Sequence, residues 1–176
     1  LAYSTIPMFI MGLTLPGLVG AFVYIYLITV YWHYVAQAFG IALIYCYKRG
    51  YMLNNIEKEI FRWFLFSIVG YTTIRFLTYR DLSPRNWFGV DLPFWGPLPE
   101  VLFFIARFAC VGMTIAFVVL LARKYFKENK LMPWPSLMIV ATVAGLGLSQ
   151  EAANSMFWFY VPGFFHGSQY LAVCMA

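Results

Sequence analysis

The first 47 residues of this chain contain no Lys, Arg, Asp or Glu. A transmembrane helix needs about 20 apolar residues to cross the roughly 30 Å of hydrocarbon in a bilayer. The uncharged stretch is therefore long enough for one or two crossings. Because it has no charged face to offer to water, it excludes an ordinary soluble fold and predicts a region embedded in a membrane.

The composition of the whole chain supports the same class. Hydrophobic residues make up 62% of it and charged residues 11%, and its mean hydropathy is +0.74; soluble domains carry about 25% charged residues. The apolar segments are long and unbroken, whereas a β-barrel shows alternating segments of about 10 residues. We expect an all-α, polytopic transmembrane bundle of about five spans. We expect it to form one domain over residues 1–176, as a fragment of a longer chain whose last span is truncated.

The uncharged stretch leaves two topologies open, because Pro16 and the glycines after it can mark either a kink or a turn. In the first, one helix covers residues 3–22 and a second covers 26–47. In the second, a single span covers 7–31 and residues 33–47 lie along the interface or re-enter the membrane. The first is slightly favoured, since residues 33–47 have no polar face.

The rest of the chain alternates apolar segments with polar loops. Asn54, followed three residues later by Glu57, predicts a capped helix start. Residues 80–99 combine four prolines with Trp87 and Trp95, which predicts an ordered loop at the membrane interface rather than a helix. The further apolar segments lie at residues 60–79, 98–122, 133–148 and from 164 onward.

The basic residues predict the orientation. The loops at 48–62 and 123–130 each hold four Lys or Arg, whereas residues 80–99 hold two and 151–165 hold none. The positive-inside rule therefore predicts that the loops at 48–62 and 123–130 are cytoplasmic. Basic residues placed in short loops fit anionic lipid headgroups, so we expect the lipid bilayer as a partner and no nucleic acid.

Four residues are the predicted site of chemistry, in the outer half of the bundle. An ionisable group inside a bilayer costs about 2.5 to 3.5 kcal/mol on insertion scales, so such groups usually face a bundle interior. We predict that His33 and His166 bind a cofactor or metal, with iron or haem as the candidates, because imidazole offers a neutral nitrogen and a near-neutral pKa. Glu151 and Arg107 are the predicted catalytic residues. His33, which shares a helix face with Gln37, is expected about 10 Å below the outer end of its helix.

Arg75 and Glu100 are expected in the same half of the membrane as these four residues, and each of the ionisable groups there also has a purely structural interpretation. Arg75 lies near enough to a helix end to extend its charge to the headgroups. Glu100 begins a helix, where a carboxylate stabilises the free amide groups and the dipole. Arg107 is deeper, so it is expected to pair with Glu100 or Glu151, and such a pair can simply hold helices together. The two histidines can serve as hydrogen-bond donors between helices.

Sequence motifs do not name an activity. The HxxxH and HxxHH boxes of membrane di-iron enzymes are absent, as are HExxH, GxxxxGK[ST], CxxCH and GxSxG. Cys46, Cys110 and Cys174 lie apart in apolar spans and are expected to be buried as small hydrophobic residues. Gly145 and Gly147 predict a notch for close helix packing.

Three functions fit this pattern. The leading one is a metal- or haem-dependent membrane enzyme acting on a lipophilic small molecule, because costly polar groups lie among aromatic side chains. The second is a transporter or proton-coupled carrier in which the same groups line a path. The third is a non-catalytic subunit packed against other membrane subunits.

Overall fold

A computed structural model describes residues 19–79, 86–87, 90–91, 94 and 96–148. Four helices dominate these residues. Short loops join the first helix to the second and the third to the fourth, and a longer segment that contains a hairpin of two two-residue strands joins the second to the third. The elements are α1 (Val19–Lys48), α2 (Asn55–Thr78), β1 (Asn86–Trp87), β2 (Val90–Asp91), α3 (Glu100–Glu128) and α4 (Trp134–Leu148).

Three of these helices are long and apolar enough to cross a membrane. The segments Ala21–Lys48, Asn55–Thr78 and Glu100–Glu128 contain 28, 24 and 29 residues, whereas α4 is a shorter apolar helix of 15. At 1.5 Å per residue even the shortest of the three extends about 36 Å. The helical fold is thus compatible with an integral membrane protein. The expected five spans are not confirmed, because the described residues hold three candidates and α4.

Helix α1 contradicts one of the two topologies that were predicted for the uncharged stretch. It continues without interruption from Val19 to Lys48, so the interpretation that ended a span at residue 31 is wrong. The physical reason is that residues 21–39 contain neither proline nor glycine, and nothing in them breaks the helix. The two-helix interpretation placed the start of this helix at residue 26, seven residues too late; its first helix falls mostly outside the described residues.

Helix α2 is the centre of the fold and packs against α1, α3 and α4. In its most apolar stretch 44% of the residues are buried, against 22% in α1 and α3. Its start confirms the predicted cap: Asn54 Oδ1 accepts a hydrogen bond from the Glu57 amide at 2.9 Å, and Glu57 Oε2 accepts one from the Asn54 amide at 2.9 Å. This reciprocal pair satisfies two amide groups that the helix leaves free.

Aromatic stacking and small polar contacts join the helices. The Phe117 ring of α3 stacks on Phe64 and Phe61 of α2, with centroids 4.4 and 5.2 Å apart. On the other side of the bundle, Ser136 of α4 donates a hydrogen bond to the Ala42 carbonyl of α1 at 2.8 Å. Cys46 and Cys110 are buried as predicted; Cys174 lies outside the described residues.

A close approach of α4 to the bundle depends on Gly147. A Cβ atom at this position would collide with the Ile68 side chain and the Tyr31 hydroxyl, whereas nothing lies within 4 Å of one at Gly145. The predicted packing notch is therefore confirmed for Gly147 and wrong for Gly145. Without a side chain at residue 147, α4 can lie directly against α1 and α2.

The loop between α2 and α3 contains the hairpin. Its strands pair antiparallel, with Asn86 opposite Asp91 and Trp87 opposite Val90. Farther along, the Leu98 amide donates to the Leu77 carbonyl at 3.3 Å, which connects the start of α3 to the end of α2. The described part of residues 80–99 is non-helical, as its prolines predict, and its interfacial position stays a prediction.

Candidate functional site

Arg75, in the last turn of α2, is one of two fully enclosed cations in the part of the chain that the structure describes. Its side chain is 2% exposed. The guanidinium carbon lies 5.8 Å from the centroid of the Tyr71 ring and 5.5 Å from that of Phe76. Among the described residues, Nε and Nη2 of Arg75 are buried without a hydrogen-bond partner. Since every guanidinium nitrogen is a donor, this side chain keeps unused capacity to bind an acceptor.

Among the described residues, the contacts of Arg75 do not balance the burial of its charge. A cation over an aromatic ring gains about 0.5 to 2 kcal/mol, and a cation at a helix carboxyl end gains up to about 2 kcal/mol in partly buried geometries. Removing an ion from water costs several kcal/mol even after relaxation, and leaving buried donors unbonded adds about 1 to 3 kcal/mol. A carboxylate or phosphate would offset both terms, because it accepts paired hydrogen bonds from a guanidinium.

Hydrogen bonds between helices fix the backbone one turn below Arg75. Thr72 Oγ1 lies 2.8 Å from the Gly147 carbonyl of α4 and 2.9 Å from the Ile68 carbonyl of its own helix, so its single hydrogen is shared. The Tyr31 hydroxyl of α1 donates to the Val143 carbonyl at 3.2 Å. These hydrogen bonds join α1 and α2 to α4. They hold α2 in the rotation about its axis that turns Arg75 toward the bundle interior.

His33 lies elsewhere, near the middle of α1. It follows Val19 by 14 residues, which places it about 21 Å from the amino-terminal end of the helix. The expected distance of about 10 Å assumed a helix that starts at residue 26 and is therefore wrong. His33 Nε2 is 3.0 Å from Gln37 Nε2, which confirms that the two share a face. With the amide nitrogen donating, Nε2 accepts, and a metal at Nε2 would displace Gln37.

The two arginines exchange their expected roles. Arg75 was expected to reach the headgroups and is buried, so that prediction is wrong. Arg107 was expected to pair with an acid, yet it is exposed together with Glu100, and neither forms an ion pair with another described residue. Glu151 and His166 lie outside the described residues. The predicted site of His33, His166, Glu151 and Arg107 therefore stays a prediction.

The structure provides no described metal site. Within residues 19–79 and 96–148, no three His, Cys, Asp or Glu side chains are grouped closely enough to hold an ion. Metal binding and redox chemistry are consequently unsupported by this part of the chain.

The second enclosed cation is Lys124, near the carboxyl end of α3. It is 3% exposed. Its Nζ lies 3.2 Å from Glu57 Oε2, 3.1 and 3.3 Å from the two carboxylate oxygens of Glu128, and 2.7 Å from the Met52 carbonyl. The Glu57 side chain is 14% exposed and that of Glu128 is 44% exposed, so the cluster opens to solvent on the Glu128 side. An ammonium group has three donors, so every one of them has an acceptor, and this cation is compensated within the protein.

Tyr51, in the loop between α1 and α2, lies over the Lys124 cluster. The Lys124 ammonium lies 5.2 Å from the centroid of its ring. Burial raises the pKa of the Tyr51 hydroxyl, and the nearby Cys46, Glu57 and Glu128 raise it further. The Tyr51 Oη is buried and has no hydrogen-bond partner among the described residues. Tyr51 therefore stays neutral and contributes its ring, not its hydroxyl.

Sequence reasoning predicted the burial of neither cation: Arg75 was named but was expected to reach the headgroups. Lys124 was counted only as one of the basic residues of a loop, although Glu128 follows it by four residues on the same helix face. Tyr71, Thr72 and Arg75 form a polar cluster inside an otherwise apolar segment. This cluster was the sequence feature that could have predicted a buried Arg75.

Comparison with known proteins identifies no relative. No protein-family model, curated protein or solved structure matches this chain. Function is therefore inferred from the chemistry of its own residues.

Proposed function

We propose that this protein is a membrane carrier that binds the acidic group of a lipophilic molecule at Arg75. The observation that carries the proposal is a 2% exposed guanidinium whose Nε and Nη2 are unbonded among the described residues. An ionisable group enclosed in a membrane-spanning helix usually marks a functional path. The ligand class follows from the surroundings: the guanidinium offers donors to a carboxylate or phosphate, and the apolar membrane-spanning helices around it suit a lipophilic remainder.

The orientation completes the proposal. With the loops at 48–62 and 123–130 in the cytoplasm, the end of α2 that holds Arg75 faces the opposite side. The carrier would then receive its acidic ligand from the non-cytoplasmic leaflet. Cysteine labelling with a membrane-impermeant reagent at Lys127→Cys and at Glu100→Cys in intact cells tests this sidedness, because only the residue outside should react.

Ligand-dependent stabilisation tests binding at Arg75. Dodecanoate and dodecyl phosphate would be added to the purified protein in detergent, with dodecanol as the uncharged match. A ligand at about 100 times its dissociation constant stabilises the folded state by about 2.7 kcal/mol. We expect the two acids to raise the melting temperature and dodecanol not to. Arg75→Gln should abolish the shift, and Arg107→Gln, which removes an exposed cation, should retain it.

Two outcomes would overturn the proposal. One is an equal shift in Arg75→Gln and wild type. The other is a loss of about 3 to 5 kcal/mol in Glu151→Gln without added ligand, as expected for breaking a buried ion pair. Such a loss would indicate that a carboxylate of the chain itself compensates Arg75. Uptake of labelled dodecanoate into proteoliposomes then separates a carrier from a receptor that binds without transport.

The metal- or haem-dependent enzyme stays the second prediction. It rests on His33 and His166, of which only His33 is described. Metal analysis and visible absorption of the purified protein test it. A stoichiometric metal or a Soret band that disappears in His33→Ala and in His166→Ala would support it and would remove the reason to prefer the carrier.

A further inference from the structure

We propose that a group of cations where α1 and α3 end, here called the basic collar, binds the headgroups of anionic phospholipids. It is a separate site from Arg75 and does not depend on the proposed transport. The collar consists of the exposed side chains Lys48, Arg49, Arg123, Lys127 and Lys130.

The first observation is that the carboxylates near the collar are already engaged. Residues 48–62 and 123–130 contain only three acids. Glu57 and Glu128 both contact the buried Lys124, and Glu59 pairs with Arg62 at 2.7 Å. Within the described residues, no collar cation forms an ion pair. The enclosed lysine thus gathers the two acids that would otherwise neutralise this surface.

The second observation is that hydrogen bonds bring the collar together from separate parts of the chain. Lys130 Nζ donates to the Gly50 carbonyl at 3.2 Å. Lys124 Nζ donates to the Met52 carbonyl at 2.7 Å. The segment that follows α3 is therefore attached to the loop that follows α1. Lys130 is thus bonded to Gly50, the residue that follows Lys48 and Arg49, although 80 residues separate Lys130 from Gly50 in sequence.

The third observation is the apolar surface beside these cations. Phe126 is 83% exposed, Leu131 73% and Trp134 71%. Large exposed apolar and aromatic side chains suit the boundary between acyl chains and headgroups, where tryptophan and tyrosine are enriched. The collar therefore lies at the depth of lipid phosphates rather than in open water. Basic side chains near a charged leaflet each gain about 1 kcal/mol from anionic lipids.

Spin-labelled lipids test the collar in reconstituted full-length protein. The protein would be placed in phosphatidylcholine vesicles with a trace of spin-labelled phosphatidylglycerol or spin-labelled phosphatidylcholine. The motionally restricted fraction gives the association constant of one lipid relative to the other. Since about 1 kcal/mol corresponds to about a fivefold change in an equilibrium constant, we expect phosphatidylglycerol to be preferred by about tenfold or more.

Charge-neutral variants locate the preference. The collar variant combines Lys48→Gln, Arg49→Gln, Lys127→Gln and Lys130→Gln and should reduce the preference to about twofold or less. Lys127→Gln alone should reduce it, and Arg107→Gln is its matched control. Each removes one exposed cation from α3, but residue 107 lies about 30 Å from residue 127 along the helix. Circular dichroism confirms that each variant retains its helix content.

Three results would overturn the proposal. Wild-type protein that does not distinguish the two lipids has no such site. Equal effects of Arg107→Gln and Lys127→Gln would show that total charge, not the collar, attracts the lipid. Inorganic phosphate that displaces phosphatidylglycerol, at an ionic strength where chloride does not, would assign the cations to free phosphate.

Discussion

Arg75 and Lys124 are two cations with almost the same burial, 2% and 3% exposed, and opposite surroundings. Lys124 has two carboxylates and a backbone carbonyl within 3.3 Å. Arg75 has two aromatic rings, and two of its nitrogens have no described acceptor. The cost of burial is similar in kind for both, but only Lys124 recovers it from within the described chain.

The comparison indicates how a structural ion differs from a binding ion. Breaking a compensated buried pair is costly, because it leaves a charge without its partner. Removing an uncompensated buried cation also removes its desolvation cost, so the protein loses little stability. The same substitution at the two positions should therefore change stability in different directions.

The largest effect is expected from Lys124→Met. It leaves Glu57 without its cation, so the free energy of unfolding should fall by about 3 kcal/mol, the lower end of the range for a buried pair, because the 44% exposed Glu128 is rehydrated. Reversible unfolding in mixed detergent micelles measures the change. The control is Lys127→Met, an exposed lysine in the same region, which should remain within about 0.5 kcal/mol of wild type. A similar loss in both variants would mean that net charge, not the enclosed cluster, supports this end of the bundle.

Gly147→Ala should give the next largest effect, because it disturbs the backbone beside Arg75. The added methyl would meet the Ile68 side chain and the Tyr31 hydroxyl, and overpacking of this kind typically costs about 1 to 3 kcal/mol. Gly145→Ala has free space and should be neutral or gain up to about 1 kcal/mol from helix propensity. The pair would be compared by thermal unfolding. Equal behaviour would show that α4 can shift without cost and does not fix the Arg75 site.

Arg75→Met sharpens the comparison most directly. In the absence of ligand it should leave stability unchanged or raise it by up to about 2 kcal/mol, because an unpaired buried charge is replaced by an apolar side chain of similar length. The variant would be unfolded beside Lys124→Met under the same conditions. A loss of about 3 kcal/mol or more would instead reveal a compensating acid and equate the two cations.

Tyr51→Phe should have the smallest effect. The hydroxyl has no described partner, so its removal should change stability at pH 7 by less than about 1 kcal/mol, toward greater stability. Burial raises the pKa of Tyr51, so its contribution is complete below the unfolded value of about 10 and is lost as the pH rises toward the folded value. The difference between variant and wild type should therefore grow above about pH 10. A constant difference across that range would contradict the assigned burial of Tyr51.

The helical segments could be predicted from the length of the apolar runs, whereas the burial of Arg75 and Lys124 depends on how the helices pack. The charge-free run and the cap at Asn54 were sufficient to predict helical segments there, since both depend on local sequence. The burial of Arg75 depends on how α2 is rotated by contacts with α1 and α4, which no local pattern encodes. The partnership of Lys124 with Glu57 joins positions 67 residues apart.

The predicted depth of His33 in its helix was wrong. His33 was placed by assuming that its helix began near residue 26. The helix begins at Val19, and this moved the imidazole toward the centre of α1. An apolar run without breakers gives no internal mark of where a helix starts, so this error follows from the sequence itself.

The double role of Glu57 constrains the order of assembly during synthesis. The same carboxylate caps the start of α2 and holds Lys124 of α3. While the ribosome has produced α1 and α2 but not yet α3, the cap can form but the Glu57 carboxylate has no lysine to pair with. The start of α2 is therefore completed only when α3 docks, and Lys124 joins the third helix to a cap that was already formed.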